Sequence, residues 1–159
     1  MERDAALADF GQARREWEEA FARVPDDALR YLKPGDDYAL GGLQVHVNWV
    51  LARYLRVLES GTVAQPPPSA EGLRGGLSPA ERRQSLVEMS RLHEAVKTSV
   101  DRLAESDWSR KSPVVYGPGE DPYPTSPEDV VGWLCDHYRE HVVQSADLVE
   151  EWRTAKPGG

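Results

Sequence analysis

The chain has 159 residues, 40% of them hydrophobic and 29% charged, which suits one soluble domain spanning 1–159 around a single core. Acidic residues outnumber basic ones 27 to 19, for a net charge of −8, and the basic residues are interleaved with acids (Arg14-Arg15-Glu16, Glu81-Arg82-Arg83), which argues against a nucleic-acid partner. No apolar run approaches the roughly 20 residues that cross a bilayer, the charged start Met1-Glu2-Arg3-Asp4 lacks a signal-peptide hydrophobic region, and the lone Cys135 excludes a disulfide framework and a cysteine zinc finger, so the expected location is the cytoplasm with no membrane partner.

The elements follow in chain order. Leu7, Phe10, Trp17, Phe21 and Val24 recur at three- and four-residue steps and predict a first helix over 5–24. Pro25-Asp26-Asp27 and Pro34-Gly35-Asp36-Asp37 interrupt the pattern. A second helix is expected over 39–59, with the inward stripe Ala39, Leu43, His46, Val50, Tyr54 and Val57 and a stop at Gly61. The connection 61–77 holds Pro66-Pro67-Pro68, Gly72, Gly75 and Gly76 and reads as too irregular for a helix or a strand.

Ser78-Pro79-Ala80-Glu81 is a helix start, with Ser at the cap, Pro at the first helical position and Glu three residues after the cap. The third helix is expected to reach about 105, with the stripe Leu86, Met89, His93, Val96, Val100 and Leu103. After a connection over 106–125, Ser126-Pro127-Glu128-Asp129 repeats the start signature. The fourth helix continues to about 152, with Val130, Trp133, Leu134, His137, His141, Leu148 and Trp152 facing inward. No segment alternates with period two. The expected fold is all-α, a four-helix bundle with long crossover connections that permit parallel neighbours.

Histidine carries the chemistry. The chain has four, all on predicted core stripes, and His46, His137 and His141 are the three read together. His137 and His141 lie one turn apart on one helix face, the spacing at which two imidazoles converge on one ion. A buried neutral imidazole without a partner costs free energy. A metal shared by His46, His137 and His141 would satisfy all three at once and leave open positions for water or substrate. The competing reading is three separately satisfied core histidines. His93, although on a stripe, is expected to be a satisfied core or interface histidine rather than a fourth ligand. Asp136 and Glu140 flank the pair, and their expected place is the solvated side.

Two resemblances to peptidase motifs fail. His93-Glu94 opens like a His-Glu-x-x-His motif, but Lys97 stands where the second histidine must be. His137-x-x-Glu140-His141 matches the inverted peptidase motif literally, yet only 18 residues follow to supply a further ligand. A di-iron carboxylate centre needs paired Glu-x-x-His motifs, which are absent.

One histidine early in the second helix (Leu43-Gln44-Val45-His46-Val47), a His-x-x-x-His pair in the last long helix, and the 91 residues separating His46 from His137 together resemble the DinB-like (YfiT-like) family. Pro25-Asp26-Asp27-Ala28-Leu29 and the Ser-Pro-Glu-Asp start of the last helix add to the likeness, which spans roughly 5–150. The resemblance implies a four-helix bundle with a long crossover, a zinc- or nickel-type divalent ion on His46, His137 and His141, and homodimers. Some relatives are transferases or isomerases that use a low-molecular-weight thiol, such as mycothiol-dependent maleylpyruvate isomerase and bacillithiol transferases. The expected activity is thus a metal-dependent transferase or hydrolase acting on a small-molecule substrate. The alternative is a non-catalytic bundle with a degenerate or empty site.

Among the remaining residues, Cys135 is expected to be a buried small hydrophobe. Trp17 and Trp133 read as core, and Trp108 as the better pocket candidate. Tyr116 and Tyr123 offer a lid over the metal, against the alternative of a plain surface loop. Arg53 and Arg56 read by default as a solvated face.

Overall fold

The computed structural model describes residues 1–63 and 70–155. The Pro66-Pro67-Pro68 run lies outside the described residues. Among the described residues five helices follow in order: α1 (Arg3–Ala22), α2 (Leu40–Ser60), the short α3 (Ala70–Gly75), α4 (Pro79–Asp101) and α5 (Pro127–Ala155). Two 3₁₀ turns, Asp26–Ala28 and Glu105–Asp107, follow α1 and α4. Two three-residue strands, β1 (Ser112–Val114) and β2 (Tyr123–Thr125), pair antiparallel with Val114 opposite Tyr123.

The starts of the long helices are set locally. At α4 the Ser78 hydroxyl accepts from the Glu81 amide at 3.2 Å, and the Glu81 carboxylate accepts from the Ser78 amide at 2.9 Å. At α5 the same reciprocal pair joins Ser126 and Asp129, at 3.0 and 2.9 Å. α2 ends at Gly61 in the left-handed conformation, φ 70°, where a Cβ would be strained.

Side-chain contacts give each helix its direction. Met1 is 2.6 Å from Glu128 at the start of α5, and Trp17 lies edge-on to His141 further along, so α1 and α5 run parallel. Arg3 donates to the Leu103 carbonyl, Phe10 stacks on His93, and Arg82 donates to the Val24 carbonyl, so α1 and α4 run antiparallel. His46 sits beside His141 and Tyr54 beside Trp133, so α2 and α5 are antiparallel. α2 and α4, packed side by side, therefore share a direction.

A parallel α2–α4 pair requires the chain to return the length of the bundle between them. That return falls between α2 and α4, and α3 lies on it. The expectation of a segment without helix is corrected here. α3 docks on the start of α2, where the Ala39 amide donates to the Leu73 carbonyl at 2.9 Å. Gly42 makes the approach possible, because a Cβ there would collide with the Leu73 carbonyl.

The connection after α4 is not a crossover. Val57, Leu103, Ser112, Thr125 and Val130 line one hollow, which keeps this connection at a single end of the bundle. The β1–β2 ladder within it is a small addition to a fold that is helical as expected. Strands of three residues, each centred on a proline (Pro113 opposite Pro124), are too short to show alternation in sequence.

The core is one hydrophobic cluster that draws on all four long helices, including Phe10, Trp17, Leu43, Leu51, Met89 and Leu134. Polar groups lie inside it as well, Gln44 and His93 among them. Gln44 is fully buried; its side-chain oxygen accepts from Trp17 Nε1 at 2.7 Å and its amide donates to Asn48 Oδ1 at 2.9 Å.

Candidate metal centre

Four residues of helix advance about 400°, so His137 and His141 project from the same face of α5 one turn apart. His46 enters from α2, which runs beside α5 in the opposite direction. The ring centroids of His46 lie 4.9 Å from His137 and 5.3 Å from His141, and the α5 pair is 4.4 Å apart. One ring nitrogen from each of the three falls within 4.8 Å of the other two. Among the described residues this is the one cluster of three groups able to hold a metal ion.

His141 is the deepest of the three, 7% exposed. Its Nδ1–H donates to Gln144 Oε1 at 2.8 Å, which leaves Nε2 as the bare nitrogen, 2.9 Å from His137 Nε2. His46 makes no hydrogen bond to a described residue. Burial, reinforced by the charge of His141, pushes the His46 pKa down to about 4. Burial and the neighbouring His141 and His46 push that of His137 down to about 3. Burial lowers that of His141 as well, against an opposing effect from Gln144 and Glu140. All three rings are therefore neutral at pH 7, the form that ligates metals.

The fourth histidine is the satisfied core group that its stripe position suggested. His93 stacks on Phe10 at 3.8 Å, and its Nδ1 is 3.0 Å from the Tyr138 hydroxyl. Burial pushes its pKa down to about 3.

A cleft of about 470 Å³ opens onto the cluster. His46 and His137 lie in its wall, with Trp49, Arg53, Tyr54, Trp133, Asp136 and Glu140. Asp136 and Glu140 are exposed, as expected, yet they sit on this cleft rather than away from it. Trp133 is half-buried and lines the cleft, correcting its reading as core. Trp108 is buried instead, its Nε1–H donating to the Met1 carbonyl at 3.0 Å. Arg53 is also corrected: its guanidinium lies 5.2 Å from the Trp49 ring centroid and 5.7 Å from that of Tyr116, and it donates to the Tyr116 carbonyl. The misreading of Trp133 has a clear origin. Helical periodicity marks a face as inward without distinguishing packed core from the wall of a cleft.

Tyr116 and Tyr123 do not cover the histidines. They flank the cleft, in an adjoining hollow that shares Tyr54 and Trp133 with it. Cys135 is buried, with its thiol pushed up to about 12 by burial first and by Asp9 next, so it is an inert small hydrophobe.

These features define a class: a helical bundle in which two antiparallel helices bring three neutral imidazoles together beside a lateral cleft. The family model of the DinB superfamily matches residues 3–145, and the chain belongs to that superfamily. No curated protein matches the sequence. Among the described residues, no helix is long and apolar enough to cross a membrane.

Proposed function

We propose that His46, His137 and His141 together hold one divalent cation, zinc or nickel, and that the protein is a metal-dependent transferase or hydrolase. Its nucleophile is water or a low-molecular-weight thiol, and its substrate is a small molecule that enters the cleft. The observation that carries this reading is the convergence of three neutral ring nitrogens within 4.8 Å. Imidazole nitrogens on a tetrahedral ion at about 2.0–2.1 Å stand about 3.4 Å apart. The α5 pair, at 2.9 Å, is about 0.5 Å short of that spacing, a small side-chain adjustment. His46, without a hydrogen bond to hold it elsewhere, supplies the remaining adjustment.

A cation held there supplies Lewis acidity and lowers the pKa of a bound water or thiol. The chain's own groups do the rest. Gln144 fixes the tautomer and orientation of His141. Trp49 and Trp133 give the cleft apolar walls against which a small molecule packs. The carboxylates of Glu140 and Asp136, on the cleft beside His137, accept and return the proton of the nucleophile.

Metal analysis of the purified full chain tests the reading. One ion per chain is expected, with an absorption-edge spectrum showing three nitrogen neighbours at about 2.0–2.1 Å. His46→Ala and His137→Ala each remove the ion while the circular dichroism stays helical. Metal content unchanged in both variants would overturn the assignment.

A further inference from the structure

The hollow beside the cleft has a composition of its own. Its lining is Tyr54, Tyr116, Tyr123 and Trp133, with Glu120 and Asp121, around about 470 Å³. The four rings form a closed circuit. Tyr54 lies 6.5 Å from Tyr116, Tyr116 6.4 Å from Tyr123, Tyr123 6.3 Å from Trp133, and Trp133 5.8 Å from Tyr54, centroid to centroid. Neighbouring planes are inclined by 47° to 67°, so no pair is stacked flat. Three elements build the circuit: α2 supplies Tyr54, the connection after α4 supplies Tyr116 and Tyr123, and α5 supplies Trp133.

We infer that this hollow is an aromatic cage for a quaternary or methylated ammonium group on a small molecule. A square of rings with these edges has its centre about 4.4 Å from each centroid, inside the roughly 6 Å over which a ring face attracts a cation. A methylated ammonium suits the site better than a primary one. Its charge is diffuse and weakly hydrated, and its methyl groups fill the space between rings without requiring hydrogen-bond acceptors. Glu120 and Asp121 add negative charge to the same hollow, and among the described residues neither takes part in an ion pair. Arg53 lines the neighbouring cleft and not this hollow, with its guanidinium 5.7 Å from the Tyr116 ring centroid. The Tyr116 hydroxyl is tied to Thr125 Oγ1 at 2.7 Å, and Thr125 is buried, so this wall of the cage is anchored before any ligand arrives.

Tyr54 and Trp133 are walls of both the cage and the histidine cleft. A ligand whose ammonium end occupies the cage can therefore extend its other end past these two rings toward His46 and His137. Binding of the ammonium end itself needs no metal, so it stands or falls independently of the ion.

Titration calorimetry of the full chain with choline and with 3,3-dimethylbutan-1-ol, the neutral compound of nearly the same shape, tests the cage. Choline is expected to bind and the neutral compound to bind at least about tenfold more weakly, because only the first has a charge for the rings. Tyr123→Leu, at a half-exposed position, is expected to weaken choline about tenfold with no change in thermal midpoint, and Glu120→Gln with Asp121→Asn to weaken it several-fold. His46→Ala is expected to leave choline binding intact, which separates the cage from the metal site. Equal affinity for both compounds, no choline binding at millimolar concentration, or unchanged affinity in Tyr123→Leu would overturn the inference.

Discussion

The Nε2 atoms of His137 and His141 stand 2.9 Å apart on successive turns of α5, while the opposite nitrogen of His141 is held by Gln144. That second contact decides which nitrogen of His141 faces the cluster. Gln144→Ala is expected to leave the bundle folded and to weaken metal binding about 10- to 100-fold, the usual cost of losing a group that orients a ligand. Competition with a chromogenic chelator measures it. Unaltered affinity would show that packing against Trp17 alone orients the ring.

The depressed histidine pKa values set the acid limit of the metal-free protein. His46 at about 4, and His137 and His93 at about 3, lie below the ordinary value of 6.5. As pH falls below 6.5 the unfolded chain takes up protons that the folded chain refuses, so stability drops between about pH 6.5 and 3. The paired carboxylates Asp9 and Glu81, whose pKa values are lowered, lose their contribution only below the ordinary carboxylate range. Urea midpoints of chelator-treated protein at pH 7.5 and 5 read the effect, and equal midpoints would contradict it.

Gly42→Ala places a methyl group against the Leu73 carbonyl, where α3 crosses the start of α2. Backbone cannot yield as a side-chain tip does, so a loss of about 1–3 kcal/mol is expected, as for other overpacked sites. Thermal unfolding in the presence and absence of metal measures it. A neutral result would mean that α3 detaches at little cost.

Gln44→Leu removes the acceptor for Trp17 Nε1 inside the core. The residue volume is nearly kept, so the expected loss of about 1–3 kcal/mol comes from the unsatisfied indole N–H. Gln44→Glu, which keeps an acceptor but buries a charge, is expected to lose stability more steeply above the carboxylate pKa. Denaturant unfolding of both variants at pH 4.5 and 7.5 separates these contributions.

The long helices were legible because their signals are local. The reciprocal caps at Ser78–Glu81 and Ser126–Asp129 involve residues three apart, and both form as the sequence predicts. The predicted spans 5–24 and 39–59 differ from α1 and α2 by one or two residues at each end, and the third helix stops at Asp101 instead of about 105. The buried amide of Gln44 left no such signal, since a glutamine beside a hydrophobic stripe reads as surface until Trp17 is brought to it from 27 residues away.

By itself, the sequence determined the helical class, the boundaries of four long helices, and the three histidines worth bringing together. Periodicity and caps depend on neighbours within one or two turns, and these are written in order along the chain. The parallel pairing of α2 with α4, the two strands of the last connection, and the cleft with its aromatic flank were decided by tertiary structure alone. Each depends on groups tens of residues apart, whose meeting is settled by which apolar faces bury one another. The same inward periodicity that placed Trp17 in the core placed Trp133 on a cleft, and only the packing of α2 beside α5 separates the two.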